Sequence, residues 1–349
     1  MKYLITGGTG FIGSSSARRI LADGDEVHLF VRDADAVADD LSKACEVFVG
    51  TIGDPNAIAA AAAGCEVVVH AAAAPNHRCH PRALQWINVA GTENVVNAAR
   101  SAGVARVVYL SCADVTLTNA DRVNWNEARE LTKKPFDAHA RSKLLGEEVA
   151  LTANSAAMEV TALRPTWVWG PGDTSRLPHL AREALGGGIQ LVGSGGNLIA
   201  SIYIDNLIEA ILLAAEAPEA AGQRYYVSEG DFIEAGEFFS MLSTALGAGP
   251  PRTGPPYPIA FPLASLGRRV GGQALSATDI IQRGRSSLFD VQNLVKDLDW
   301  GPTVAMADGA TKLQAWIAAQ GGAEAVAALE RAPATAESVD AQVEAAGGD

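Results

Sequence analysis

Short apolar runs alternate along the chain with stretches whose apolar residues recur at helical spacing. The first run spans Lys2 to Thr6, and later runs have the length and the β-branched content of buried strands. These later runs occupy residues 26–31, 45–50, 65–70, 105–111, 159–163 and 223–227. Strands that alternate with helices indicate parallel strands joined by crossover helices. The pattern therefore predicts an α/β fold, a Rossmann-type doubly wound parallel sheet.

Glycines lie directly after the first predicted strand. Gly7, Gly10 and Gly13 stand where that strand passes into a helical stretch that includes Phe11 and Ile12. Glycine allows a tight turn and a close approach of the backbone to a pyrophosphate, and a helix N-terminus offers N–H donors and a partial positive charge. The order of strand, glycines and helix predicts that these five residues bind a dinucleotide cofactor.

The end of the second predicted strand discriminates between the nicotinamide cofactors. A carboxylate at this position binds the ribose hydroxyls of NAD, whereas an arginine pairs with the 2′-phosphate of NADP. The chain has Arg32 followed by Asp33. Val31-Arg32-Asp33 resembles the segment of dihydroflavonol reductase-like proteins in which the arginine faces the phosphate. This resemblance favours NADP(H) over NAD(H), with Arg32 as the phosphate ligand. The alternative is an exposed Arg32 with Asp33 on the ribose, which favours NAD.

Composition and charge exclude several classes of function. The 349 residues carry a formal net charge of -13, which argues against a nucleic-acid partner because phosphate backbones require a basic face. Apolar runs stay below the ~18 residues of a membrane span, and the chain opens on a strand rather than a signal peptide. The cysteines lack a paired spacing and are expected to be reduced thiols. These features predict a cytoplasmic protein that acts on a small molecule.

A family resemblance rests on several segments. His139 to Glu148, which contains Lys143, resembles the Tyr-x-x-x-Lys segment of the extended short-chain dehydrogenase/reductase family in all but its first residue. Asn88 to Asn94 matches the family's Asn-Val-x-Gly-Thr-x-Asn helix start, and Leu163 to Asp173 resembles the loop that closes over the nicotinamide. The nearest members are those like 3β-hydroxysteroid dehydrogenase and dihydroflavonol reductase. The resemblance implies further cofactor contacts, from Ile52, Ala71, Ala72, Lys143, Pro165, Thr166 and Val168.

The catalytic groups that the resemblance implies are altered in this chain. In the family a tyrosine exchanges a proton with the substrate, a lysine lowers the pKa of that phenol, and a serine completes the oxygen-binding pair. Here His139 stands at the tyrosine position. The register set by Val115 puts Cys112 rather than Ser111 at the serine position. The candidate catalytic residues are therefore Lys143, His139, Cys112 and Ser111.

The replacement of the tyrosine leaves three functions open. Imidazole can act as an acid or a base near neutral pH, but it is shorter than phenol. The interpretation we favour is an NADP(H)-dependent oxidoreductase that acts on a ketone or secondary alcohol. In it, His139 or an ordered water takes the place of the tyrosine. The alternatives are a non-redox cyclase, dehydratase or isomerase on the same scaffold, and a catalytically silent NADP-binding protein in which His139 marks lost chemistry.

A second cluster follows the fourth predicted strand. His77, Cys79 and His80 are potential metal ligands or acid/base groups, but their spacing fits no standard zinc pattern and a fourth ligand is not evident. We expect no metal. The simpler interpretation is a polar loop with a capping role near Pro81.

The resemblance also implies a domain organisation. Residues 1–165 are expected to form the dinucleotide-binding domain, with 200–230 returning to it, and residues 166–320 mainly a substrate-binding lobe. The apolar segment 250–264 resembles the apolar lobe of 3β-hydroxysteroid dehydrogenase and dihydroflavonol reductase-like members, which implies a hydrophobic ligand; the alternatives are a packing segment and an oligomer contact. Residues 321–349, rich in Ala, Glu and Gly, are expected to be a tail that forms a frayed helix or a disordered extension. A homodimer through the two long helices beside the active site, one of which carries Lys143, is implied as well.

Overall fold

A computed structural model describes residues 1–74, 79–129, 135–272 and 274–329. Its strands, numbered along the chain, are β1 (Lys2–Thr6), β2 (Glu26–Val31), β3 (Glu46–Val49), β4 (Val67–His70), β5 (Arg106–Leu110), β6 (Arg122–Trp125), β7 (Glu159–Pro165), β8 (Trp167–Trp169), β9 (Leu198–Ile199), β10 (Ser201–Tyr203), β11 (Arg224–Val227), β12 (Ile233–Glu234) and β13 (Ser287–Phe289). Seven of them form one sheet in the order β11-β7-β5-β4-β1-β2-β3. Every neighbouring pair in this sheet is parallel.

Helices connect the strands and cover both faces of the sheet. They are α1 (Phe11–Ala22), α2 (Asp39–Ala44), α3 (Pro55–Ala62), α4 (Pro81–Gln85), α5 (Gly91–Ser101), α6 (Ala138–Thr152), α7 (Leu177–Leu185), α8 (Ile204–Glu216), α9 (Ala235–Ala245), α10 (Tyr257–Ser265), α11 (Ala277–Gly284), α12 (Gln292–Leu298), α13 (Met306–Gln320) and α14 (Ala323–Ala328). A π-helical turn, Trp86–Ala90, joins α4 to α5, and 3₁₀ turns occupy Ala113–Thr116 and Pro218–Ala220.

The central strands are apolar because both of their faces are buried. All residues of β4 are buried, as are the residues of β1 after Lys2. On one face, α1, α8 and α12 pack through residues such as Ile20, Leu207 and Leu294. On the other face, α3, α5 and α6 pack through residues such as Ile58 and Val95. The result is the predicted doubly wound α/β sheet.

A smaller lobe extends beyond the carboxyl ends of the strands. It contains three two-stranded sheets, in which β8 pairs with β10, β9 with β12, and β6 with β13. Phe238 and Phe239 of α9 form the centre of its largest apolar cluster, which also includes Trp169 and Leu180. Among the described helices, none has both the length and the apolar character that crossing a bilayer requires.

The strand predictions agree with the structure, with small shifts at the ends. At the start of the tail, where a frayed helix or a disordered extension was expected, residues 323–328 form the short helix α14. Val326 of α14 is fully buried in the apolar cluster of the smaller lobe, and this burial stabilises a helix too short to be stable alone. Residues 330–349 lie outside the described part of the chain.

Candidate active site

The predicted site residues come from different strands but meet at one edge of the sheet. Each follows or ends a parallel strand, and the carboxyl ends of parallel strands lie at the same edge. In spatial order the edge carries Ile52 after β3, Arg32 after β2, Gly7 after β1, Ala71 and Ala72 after β4, Ser111 and Cys112 after β5, and Pro165 and Thr166 at the end of β7. Such an edge, at the point where the strand order reverses between β1 and β4, is where doubly wound folds bind their ligands.

The glycine turn is packed too tightly for side chains. Gly7 has a φ of 73°, and a Cβ placed on it would lie 2.8 Å from the backbone nitrogen of Ala72. A Cβ on Gly13 would lie 2.4 Å from the carbonyl oxygen of Gly7. The turn therefore brings the N-terminus of α1 close to the backbone after β4. Gly10 is the N-cap of α1, and the N–H groups of the first turn, which starts with Phe11 and Ile12, have no acceptor within a helix.

These features fit a dinucleotide. The first turn of α1 offers hydrogen-bond donors and a partial positive charge to a pyrophosphate, and the absence of Cβ atoms lets a ligand approach the backbone. Gly7, Gly10, Phe11, Ile12 and Gly13 would hold the phosphates.

Arg32 and Asp33 differ in their contacts. Arg32 is exposed, and its guanidinium has no hydrogen bond or ion pair within the described residues. The carboxylate of Asp33 accepts a hydrogen bond of 3.0 Å from the backbone nitrogen of Asp35. The aspartate thus stabilises its own turn, while the arginine is available to a ligand.

A buried hydrogen-bond chain holds the turns after β1 and β4. The Ala72 nitrogen donates to Thr6 Oγ1 at 3.2 Å, Thr6 Oγ1 lies 2.7 Å from His70 Nδ1, and His70 Nε2 lies 3.1 Å from Thr92 Oγ1. Because Thr92 donates its own proton to the Asn88 carbonyl, we assign the His70 proton to Nε2. Burial, together with the charge of Lys143, lowers the pKa of His70 to about 3. His70 is therefore a neutral structural residue.

Lys143 belongs to α6, and its amine lies at the end of β5. It is 4% exposed, its Nζ donates a hydrogen bond of 2.5 Å to the carbonyl of Leu110, and the same nitrogen lies 4.5 Å from the centre of the Tyr109 ring. Burial lowers the pKa of Lys143 to about 8. The amine is thus placed beside the residues that follow β5, at the edge where the glycine turn also lies.

Ser111 is held by a buried ion pair. Its hydroxyl donates to Glu147 Oε2 at 2.6 Å, and Arg164 binds both oxygens of the same carboxylate at 2.9 and 2.6 Å. Glu147 and Arg164 are 0% and 1% exposed. The hydroxyl of Ser111 therefore points toward the buried ion pair. Sequence reasoning missed this ion pair, although Glu147 lies one helical turn after Lys143.

Cys112 faces the pocket at the end of β5. Burial raises the pKa of its thiol to about 12, although the positive charge of Lys143 acts to lower this pKa. The thiol is therefore neutral, so Cys112 is a weak hydrogen-bond donor rather than a nucleophile. We accordingly propose that Cys112, and not Ser111, faces the substrate.

His139 lies in the first turn of α6 and is partly exposed. It precedes Lys143 by one helical turn, so both side chains lie on the same side of α6. Asn88 fixes this turn: it donates to Ser142 Oγ at 2.8 Å, and Ser142 donates to the His139 carbonyl at 2.8 Å. Asn88 also accepts a hydrogen bond from the Ala74 nitrogen at 2.8 Å. It therefore connects the loop after β4 to α6.

The second polar cluster is partly described. His80 is the N-cap of α4, and its Nδ1 accepts a hydrogen bond of 3.3 Å from the Arg82 nitrogen, which confirms the capping role near Pro81. Cys79 is buried. His77 lies outside the described residues. Within the described residues, no three acidic, histidine or cysteine side chains are arranged to hold a metal ion.

A polar wall in the same pocket as Cys112 was also missed by sequence reasoning. Asp114 accepts a hydrogen bond of 2.6 Å from Gln282 and lies 3.5 Å from Arg122 and 3.8 Å from Arg176. Together with Cys112, these side chains line a pocket that Pro165, Thr166 and Trp167 also border. They are distant in sequence, and no motif marks them.

The matching family model decides the classification. The model of the 3-beta hydroxysteroid dehydrogenase/isomerase family matches residues 4–255. The chain belongs to this family. A relative from Stenotrophomonas maltophilia, "2-alkyl-3-oxoalkanoate reductase", is 32% identical over 91% of this chain and 100% of its own length. A second relative, mouse "Sterol-4-alpha-carboxylate 3-dehydrogenase, decarboxylating", is 28% identical over 76% of this chain and 74% of its own.

A solved structure of similar fold is a double mutant of DesIV, a dTDP-glucose 4,6-dehydratase from Streptomyces venezuelae, with NAD bound. It is 26% identical, covers 91% of this chain and 97% of its own, and has a TM-score of 0.73. The family and these relatives identify the chain as an NAD(P)-dependent oxidoreductase that acts on a ketone or alcohol of a small molecule.

Proposed function

We propose that the protein is an NADP(H)-dependent oxidoreductase of the extended short-chain dehydrogenase type that interconverts a ketone and a secondary alcohol on a hydrophobic molecule. The observation that carries this proposal is the position of Lys143, buried with its amine at the end of β5, beside Cys112 and at the edge that holds the glycine turn. The name of the Stenotrophomonas maltophilia relative, "2-alkyl-3-oxoalkanoate reductase", supports the ketone or alcohol as the reacting group and the hydrophobic substrate class.

The contacts of Arg32 and Asp33 support NADP(H) over NAD(H). An exposed arginine without a partner in the described part of the chain can pair with a 2′-phosphate in a bidentate manner. Asp33 Oδ1 accepts a hydrogen bond from the backbone of its own turn, so this carboxylate also has a structural role in the turn. Ile52, Ala71, Ala72, Pro165, Thr166 and Val168 would complete the cofactor site, as the family resemblance implies.

The proposed chemistry divides the work among a few side chains. When bound, the nicotinamide supplies or accepts the hydride. Cys112 donates a hydrogen bond to the substrate oxygen, and the ammonium of Lys143 stabilises negative charge near that oxygen. His139, directly or through an ordered water, gives a proton to the oxygen during reduction and takes it back during oxidation.

The cofactor preference is tested by titrating the protein with NADPH and with NADH and following the tryptophan fluorescence. We expect Arg32→Ala to weaken NADPH about 10- to 100-fold, the range of a charge-assisted hydrogen bond, and to leave NADH unchanged. Lys43→Ala, which removes an exposed cation from nearby α2, is the matched control. Equal affinities of the parent protein for NADH and NADPH would overturn the preference.

The redox reaction is tested with methyl 3-oxodecanoate, a hydrophobic ketone, and NADPH deuterated at either face of the nicotinamide. We expect deuterium at the alcohol carbon of the product from one labelled face only. Consumption of the ketone without transfer of deuterium would favour the non-redox alternative.

We also propose that the protein is a cytoplasmic homodimer formed through α5 and α6. Leu145, on the outer side of α6, is 36% exposed and is a candidate contact at the centre of this interface. Light scattering on the purified protein measures the oligomeric state. We expect the mass of a dimer from the parent protein and the mass of a monomer from Leu145→Glu.

A further inference from the structure

The pocket beside Cys112 contains an excess of positive charge. Arg122, the first residue of β6, and Arg176, the N-cap of α7, both line it, and Asp114 is the one carboxylate among the lining side chains. Two guanidinium groups against one carboxylate leave one net positive charge. This excess is local, since the whole chain has a formal net charge of -13.

Arg122 is buried with part of its hydrogen-bonding capacity unused. It is 4% exposed, and its Nη1 donates to Thr116 Oγ1 at 3.2 Å and to the Ala113 carbonyl at 3.4 Å. Its Nε, also buried, has no partner among the described residues. A buried donor without an acceptor is unfavourable, so such a group marks a place where an acceptor is expected.

Arg176 is held in place by its neighbours. Its guanidinium stacks 4.2 Å from the centre of the Trp167 ring, and its Nη1 donates to Gln282 at 3.2 Å. Gln282 in turn donates to Asp114 at 2.6 Å. The second cation of the pocket is thus preorganised on a wall that also carries Asp114.

We propose that Arg122 and Arg176 form a subsite for a carboxylate of the substrate. This inference rests on the proposed function and deepens it. The cavity volume is about 60 Å³, which suits a small planar group and not an entire hydrophobic ligand. A carboxylate supplies an acceptor for the unpaired Nε, and its single negative charge balances the net charge of the pocket.

The position of the subsite defines the substrate further. Cys112 and Arg122 border the same small cavity, so the carboxylate and the reacting carbon must be separated by few bonds. A 3-oxo acid, or the corresponding 3-hydroxy acid, places one carbon between the two groups. The hydrophobic remainder of the molecule then extends out of the cavity.

Binding is tested without turnover by calorimetric titration of the NADP⁺ complex with decanoate and with decanol. We expect decanoate to bind at least about 10-fold more tightly than decanol, as charge-assisted hydrogen bonds predict. Arg122→Lys keeps a cation but loses the Nε donor, and Arg176→Met loses the second cation. Both should remove the preference, whereas Arg182→Met on the exposed side of α7 should keep it. Equal binding of decanoate and decanol to the parent protein would overturn the subsite.

Turnover separates the subsite from the proposed reaction. With NADP⁺, we expect 3-hydroxydecanoate to be oxidised with a kcat/KM at least about 10-fold above that of its methyl ester, and Arg122→Lys to lower the value for the acid alone. Asp114→Asn should raise the preference for the acid, because it removes the one negative charge of the wall; a misfolded variant would not show this gain. If neither compound is oxidised while decanoate still binds more tightly than decanol, the proposed reaction fails and the subsite stands. A preference that Arg122→Lys and Arg176→Met leave unchanged would overturn the subsite.

Discussion

Replacing Glu147 with glutamine should destabilise the fold far more than breaking an equally short ion pair at the surface. Glu147→Gln keeps the size of the side chain but leaves the guanidinium of Arg164 buried without a counter-charge. The carboxylate accepts two hydrogen bonds from Arg164, at 2.9 and 2.6 Å, and one from Ser111 at 2.6 Å. Removing one partner of such a buried pair costs about 3–5 kcal/mol of unfolding free energy.

The matched control is Asp40→Asn. Arg18 Nε lies 2.6 Å from Asp40, the same contact length, but these side chains are 46% and 57% exposed. Water screens the exposed pair, so its loss should cost about 0–1 kcal/mol. The two pairs therefore differ mainly in burial.

Urea unfolding followed by tryptophan fluorescence gives the free energies of unfolding. We expect the free energy of unfolding of the double variant Glu147→Gln with Arg164→Met to be about 2 kcal/mol below that of the parent protein. The double variant would then recover part of the stability that Glu147→Gln alone loses. Methionine at position 164 removes the buried charge, and the glutamine oxygen can still accept the hydrogen bond from Ser111, but Tyr226 loses its donor. If Glu147→Gln costs no more than Asp40→Asn, the argument that burial strengthens this pair is refuted.

Three further predictions concern the active site. Gly13→Ala should abolish NADPH binding in the fluorescence titration, because the new Cβ would lie 2.4 Å from a carbonyl oxygen, whereas Gly249→Ala, which meets nothing within 4 Å, should bind normally; normal binding by Gly13→Ala would contradict the packing argument. Since burial lowers the pKa of Lys143 to about 8, its ammonium form is lost as the pH rises through that value, so kcat/KM should fall above about pH 8. Lys143→Arg keeps its charge and should remove this alkaline limb, and a flat profile in the parent protein would show that the ammonium is not needed. His139→Phe should lower kcat about 10²-fold without changing NADPH affinity, while His139→Tyr should remain active; an unchanged kcat in His139→Phe would exclude the proton-transfer role.

The sheet and its cofactor edge were predictable because their signals are local. Strand runs, the glycine turn and the position of Arg32 each lie within a few residues, and the parallel arrangement brings their ends to one edge. The fold of residues 323–328 was not predictable in this way, because Val326 is stabilised by contacts with distant helices.

The polar wall of the pocket could not be predicted from local sequence signals either. Arg122, Arg176 and Gln282 come from β6, α7 and α11, and only the folded chain brings them to Asp114. Likewise, Glu147 is near Lys143 in sequence, but its partner Arg164 is on β7, so an isolated glutamate in a helix gave no sign of a buried ion pair.

Helix α6 carries Lys143 toward the cofactor edge and Glu147 toward the core, one turn apart. Backbone amides in this helix can exchange with deuterium only when the helix opens. Opening the helix would also break the buried ion pair between Glu147 and Arg164. The amides around Lys143 should thus exchange as slowly as those of the central strands. The reactive lysine is therefore part of the most slowly opening unit of the protein, and it keeps its position for as long as the sheet itself persists.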